Sequence, residues 1–174
     1  ASEGATPFFM AADRADLTLM RILVELGADP FMPNVDFTTP LMAAAGLGTT
    51  APLEEAGSEL EAHQAVQYLL ALGADINAID ANGDTAMHGA AYGNFPTVVE
   101  LLAAREADPD IWRNHNRRGL TPLFIAEGYR GGGFKLSRPT TEAMNRIMLT
   151  AGVSTDGPRP PIRDIYEKPA APQR

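Results

Sequence analysis

The chain has 174 residues, 45% of them hydrophobic, which suits one well-buried unit and argues against wholesale disorder. Its 22 acidic and 14 basic residues give a net charge of −8, which argues against a nucleic-acid phosphate backbone as partner. The absence of cysteine excludes disulfides, thiolate catalysis and Cys-based zinc sites, and no run of about 18 apolar residues exists to insert in a membrane. The chain therefore reads as soluble. Residues 1–5 have neither the basic start nor the apolar core of a signal peptide, and the compartment stays open, with export to a periplasmic or extracellular space included.

From the N-terminus, Thr6-Pro7-Phe8-Phe9-Met10-Ala11-Ala12 predicts a short helix, with the threonine hydroxyl capping it and proline fitting its first turn. Phe8, Phe9 and Met10 make this helix apolar where a repeat array needs a polar cap. The start of the chain accordingly reads as the cut edge of a longer array. Ile22-Leu23-Val24-Glu25-Leu26 predicts a second helix, stopped at Gly27 by a left-handed residue. Thr39-Pro40-Leu41-Met42-Ala43-Ala44 then repeats the first motif and Leu69-Leu70-Ala71-Leu72-Gly73 the second, with an acidic insertion at about 49–61 between them.

Asn82-Gly83 is a tight-turn pair ahead of Thr85-Ala86-Met87-His88-Gly89-Ala90-Ala91. The partner run beginning Leu101-Leu102 reaches Glu106 where glycine stands elsewhere, which predicts a strained or reshaped helix end. Thr121-Pro122-Leu123-Phe124-Ile125-Ala126 opens the last copy, a glycine-rich basic insertion occupies 130–139, and Ile147-Met148-Leu149 leads to Gly152. Residues 154–174 are rich in proline and read as an extended tail. Ile162, Ile165 and Tyr166 are expected to fold back as an irregular cap, a reading preferred over a P-x-x-P ligand at Pro158 and Pro161.

Spacing turns these copies into a register. Thr6 to Thr39 is 33 residues, Thr39 to Thr85 is 46 (33 plus 13) and Thr85 to Thr121 is 36 (33 plus 3). The series Gly27, Gly73, Glu106, Gly152 steps by 46, 33 and 46. Insertions thus fall inside the second repeat, between the third and fourth, and inside the fourth. Both long insertions lie between the two helices of a repeat and should emerge on one side, where contact between them is electrostatically sensible.

Two motifs keeping register together over about residues 4–153 resemble the ankyrin family, whose period is 33. The long interhelical insertions are also similar, more loosely, to those of ankyrin-repeat proteins of soil bacteria, some of them exported. The resemblance implies an all-α solenoid of four helix-turn-helix repeats, about 4–35, 36–81, 82–117 and 118–153, joined by hairpin-like loops. Residues 1–153 then form the repeat domain. His88 fills the histidine slot of the family's Thr-Pro-Leu-His motif, which implies a structural residue bonding loop backbone.

Nothing in the pattern carries chemistry. His63, His88 and His115 have no metal-ligand spacing, residues 131–137 lack the spacing of a phosphate loop, and no Ser–His pair has a nucleophile context. The chain is therefore read as a non-enzyme without cofactor or metal. What remains is a surface, and the resemblance implies a concave face of hairpin tips and first helices that binds another protein. Carried over by register, that face comprises Asp13, Arg14, Asp36, Thr38, Leu47, Ala81, Asn82, Asp84 and Tyr92. The lengthened hairpin adds Trp112, Arg113, His115, Arg117 and Arg118, and Trp and Arg are enriched among binding hot spots. Alternatives are a self-assembling segment, stacking end to end through its terminal repeats and associating through the first, or the regulatory part of a larger protein.

Overall fold

In a computed structural model the described residues are 3–52, 57–130 and 136–161. They form eight α-helices and one 3₁₀ turn, with no strand among them. The helices pair in chain order: α1 (Pro7–Asp13) with α2 (Leu17–Glu25), α3 (Pro40–Ala44) with α4 (Glu59–Leu72), α5 (Ala86–Gly93) with α6 (Pro96–Ala104), and α7 (Pro122–Ala126) with α8 (Arg138–Thr150). First helices pack on first helices and second on second, so one continuous core runs from Phe8 to Val153. This is the solenoid architecture, with each repeat burying its flank against the next. No helix among the described residues is long and apolar enough to cross a membrane.

Local chemistry starts and stops each helix. Thr6, Thr39, Thr85 and Thr121 sit in extended backbone, and their hydroxyls accept the amides of Phe9, Met42, His88 and Phe124 at 3.1–3.4 Å. That satisfies a donor each helix start leaves open. At the other end, Gly27, Gly73 and Gly152 take left-handed backbone, and the following amides of Ala28, Ala74 and Val153 return to Leu23, Leu69 and Met148. Glu106 does the same at φ 62°, with Ala107 bonded to Leu102. The expected strain is there, carried by a residue whose Cβ disfavours that region.

The first helices of repeats two and four are shorter than those of repeats one and three. Gly46 and Gly128, at matching register, enter left-handed backbone at φ 105° and 97° and send the chain into the two insertions. The described part of the first insertion leans back on repeat one, where Gly57 lies against the Arg14 carbonyl. Its end supplies Glu59, which accepts the Thr97 amide and hydroxyl at 2.8 and 2.7 Å. Helix α6 has no side-chain cap of its own, so repeat two caps a helix of repeat three. Residues 131–135 fall outside the described set, and with them the expected contact between the insertions.

The described part of the tail does fold back. Arg159 donates to both carboxylate oxygens of Glu127, at 2.8 and 2.7 Å, and lies 5.3 Å over the Phe124 ring. Ile162, Ile165 and Tyr166 lie outside the described residues.

Candidate functional site

The hairpins between repeats share one device. Asn34, Asp80 and Asn116 are buried, and each Oδ1 accepts the amides two and four residues ahead at 2.8–3.0 Å. One amide or carboxylate oxygen thus closes each loop as an Asx turn closes a backbone turn. Neighbouring hairpins are joined by single backbone bonds: Val35 donates to Glu3, Ala81 to Asp36, and Arg117 to Asn82, at 3.2, 2.8 and 2.8 Å. Side chains tie the same row together below the tips. Thr38 donates its hydroxyl to Asp80 Oδ2 at 2.9 Å, and Asn116 Nδ2 donates to Asp84 at 2.8 Å and to the Tyr92 hydroxyl at 3.4 Å.

Beside this row opens a groove of about 400 Å³ lined by Phe9, Asp13, Thr38, Leu47, Gly48, Thr49, Thr50, Asp80, Asn82, Asp84, Tyr92, Asn116, Arg117 and Arg118. Of the residues expected on the concave face, Asp13, Thr38, Leu47, Asn82, Asp84, Tyr92, Arg117 and Arg118 come together here. Its lining holds the carboxylates of Asp13, Asp80 and Asp84 together with Arg117 and Arg118, both of which are exposed. Burial raises the Asp84 carboxyl above its ordinary range, and the Asp80 charge adds to this. The hydrogen bond from Asn116 and the Arg118 charge pull it back. The Tyr92 phenol is pushed up chiefly by burial, with the Asp84 charge acting in the same sense.

The remaining expected residues fall elsewhere. Asp36 and Ala81 serve the backbone ladder at the tips. Arg14 is exposed outside the groove lining, Arg113 faces Asp110 at 3.7 Å, and His115 packs edge-on to Phe124 at 5.9 Å between centroids. Trp112 requires a correction, because it is 4% exposed and cannot serve as a surface anchor. The three extra residues of this hairpin wind a 3₁₀ turn (Pro109–Arg113) that points the indole inward, against Met87, Val99, Pro122, Met144, Ile147 and Met148. It fills the seam between repeats three and four.

His88 has the structural position expected of it. The ring is fully buried, and Nδ1 lies 3.2 Å from the Thr85 amide and 3.0 Å from its hydroxyl. Burial pushes its pKa down to about 4, against the opposing pull of the Leu120 backbone, Asp80 and the Asn114 backbone.

Sequence reasoning missed two residues near this face. Arg130 opens the glycine-rich insertion, yet it is buried and its guanidinium donates to the Tyr92 carbonyl, one of the acceptors left open at the end of α5. Phe37 occupies the left-handed position that Gly4, Gly83 and Gly119 fill in the other hairpins, at φ 59°, and its ring is 67% exposed. The signal was in the register, which places an aromatic residue in a glycine slot. Among the described residues no group of side chains could hold a metal ion.

Comparison with known proteins agrees with the architecture. Residues 53–132 match the family described as ankyrin repeats (3 copies). The chain is 28% identical over 158 residues to human SH3 and multiple ankyrin repeat domains protein 2, 38% over 96 residues to human Rabankyrin-5, and 32% over 124 residues to human Neurogenic locus notch homolog protein 1. These alignments cover 79%, 55% and 71% of this chain, but only 8%, 7% and 4% of those proteins. The chain thus spans less than a tenth of the length of these relatives. It is a member of the ankyrin-repeat family, whose arrays are protein-interaction modules.

Proposed function

We propose that this array is a non-catalytic module that binds a partner protein along the groove between its hairpins and first helices. The observation that carries the reading is the groove itself. Eight residues expected on a binding face, six by register with the ankyrin family and Arg117 and Arg118 from the lengthened hairpin, line one opening of about 400 Å³, and polar side chains bonded across repeats fix its floor. Acidic Asp13 and Asp84 with basic Arg117 and Arg118 suit an extended segment carrying charges of both signs.

A photo-crosslinking residue introduced at Asn82, in the groove, should capture the partner from the native source. The same residue at Gln64, on the exposed face of α4, should not. Arg118→Glu should abolish capture at Asn82 while the helical circular dichroism and melting temperature stay unchanged. Equal capture at both positions, or capture indifferent to Arg118→Glu, would refute groove binding.

A further inference from the structure

The second hairpin holds a strained residue whose side chain gains little from the fold. Where the other hairpins have Gly4, Gly83 and Gly119, Phe37 takes left-handed backbone at φ 59°, a region that a Cβ disfavours. Burying the ring would offset that strain, yet the residue is 67% exposed. A missing neighbour does not account for the exposure, because Gly4 and Gly83, at the same register on either side, are both among the described residues. Neither has a side chain, so nothing in that row shields the ring. A backbone outlier kept at an exposed site points to a contact outside the chain.

The charges nearby indicate what the ring meets. Asp36 adjoins it in the chain, and Glu3 is tied to the same hairpin by the Val35 amide at 3.2 Å. Among the described residues no ion pair engages either carboxylate. An arginine suits such a place, since its stem and planar guanidinium stack on an aromatic face while carboxylates balance its charge. We propose that Phe37 is the anchor on which an arginine of the partner's extended segment stacks. The proposal rests on the groove reading, and the two surfaces are continuous: Thr38, the next residue, lines the groove and donates to Asp80. One register position carries Glu3, Asp36, Asn82 and Arg118 in the four hairpins, so the row passes from acidic to basic along the array. The segment accordingly sets its arginine on the second hairpin and its acidic residues toward Arg117 and Arg118.

Random linear peptides displayed on phage and selected on the full chain supply the probe, and the tightest binder is then titrated against variants. The selected peptides should carry an arginine. Phe37→Gly should weaken binding at least about fivefold while raising the denaturation midpoint, which separates a lost contact from a lost fold. Phe37→Trp, which offers a better face to a cation, should bind at least as tightly as the unaltered chain. Replacing the peptide's arginine by glutamine should weaken binding to the unaltered chain and change little for Phe37→Gly. The anchor is overturned if the selected peptides lack arginine, if Phe37→Gly leaves binding unchanged, or if the glutamine peptide loses equally on both chains. Arg118→Glu separates this contact from the groove. A peptide weakened by Arg118→Glu alone ends the anchor and leaves the groove reading intact, and one indifferent to both changes ends both.

Discussion

Thr38 and Asp80 lie 42 residues apart and meet across the junction of the second and third hairpins, the hydroxyl donating to Oδ2 at 2.9 Å. The same carboxylate uses Oδ1 to accept the amides of Asn82 and Asp84, so one buried side chain shapes its own loop and holds the preceding one. Asp80→Ala should cost about 2–4 kcal/mol by urea denaturation, because it strands three donors in a buried setting. Asp80→Asn should cost less than about 1 kcal/mol, since asparagine already does the loop-closing work at 34 and 116. Equal losses for the two variants would contradict this account.

Phe37 and Glu106 both hold left-handed backbone at positions where the other repeats have glycine. A side chain in that region costs about 1–2 kcal/mol, offset in part by the greater freedom glycine has when unfolded. Phe37→Gly and Glu106→Gly should therefore each stabilise the fold by roughly 1 kcal/mol. The sites are in different repeats, so their effects should add. Denaturation midpoints of the single and double variants check this, and a destabilising Glu106→Gly would show that the helix end is held by the glutamate rather than strained by it.

His88 makes stability depend on pH. Its folded pKa, about 4, lies below the ordinary value of 6.5, so the unfolded chain takes up the proton first as pH falls. The contribution is fully present above pH 6.5 and is lost progressively as pH falls toward 4, by about 3 kcal/mol in all. Unfolding free energies at pH 7 and pH 5, for the unaltered chain and His88→Gln, isolate the effect. The unaltered chain should lose more between those values, and parallel losses would place the sensitivity elsewhere.

Trp112 is the single tryptophan of the chain, so its fluorescence reports one place. Emission should be blue-shifted in the folded state and move to longer wavelength on unfolding, because the indole is buried in the seam between the last two repeats. Trp112→Ala should destabilise the fold by about 3–5 kcal/mol, the range for emptying a large core site. A water-exposed emission from the folded protein would overturn its placement.

The repeat is legible in the residues alone, because its signals are local and stereochemical. A threonine before a helix and a glycine after it each have few physical meanings, and two such marks at matched spacing fix a register. The strain at Glu106 is legible for the same reason. Asn34, Asp80 and Asn116 do not stand out in the sequence because Asn and Asp serve many local turns, and only burial distinguishes these three. Trp112 misleads because an insertion of three residues changes the phase of a loop, and a 3₁₀ turn then aims the ring inward. Arg130 misleads because a basic residue beside glycines looks solvated, whereas an open carbonyl at the end of α5 draws it in. Part of the groove is recoverable: six lining residues follow from register and Arg117 and Arg118 from the lengthened hairpin, whereas Phe9, Gly48, Thr49, Thr50, Asp80 and Asn116 do not. Which of its side chains are structural and which are free depends on contacts between repeats.

Val35, Ala81 and Arg117 each join one hairpin to the next through a main-chain amide, beside the side-chain bonds of Thr38 and Asn116. A main-chain bond is indifferent to the side chain borne by the residue that makes it. Valine, alanine and arginine accordingly occupy the same rung of the ladder without altering its pitch. The outward faces of residues 35, 81 and 117 can therefore change by substitution while the scaffold beneath them stays constant. An engineer could rewrite residues 35, 81 and 117 as an alphabet of three letters on a ruler already laid.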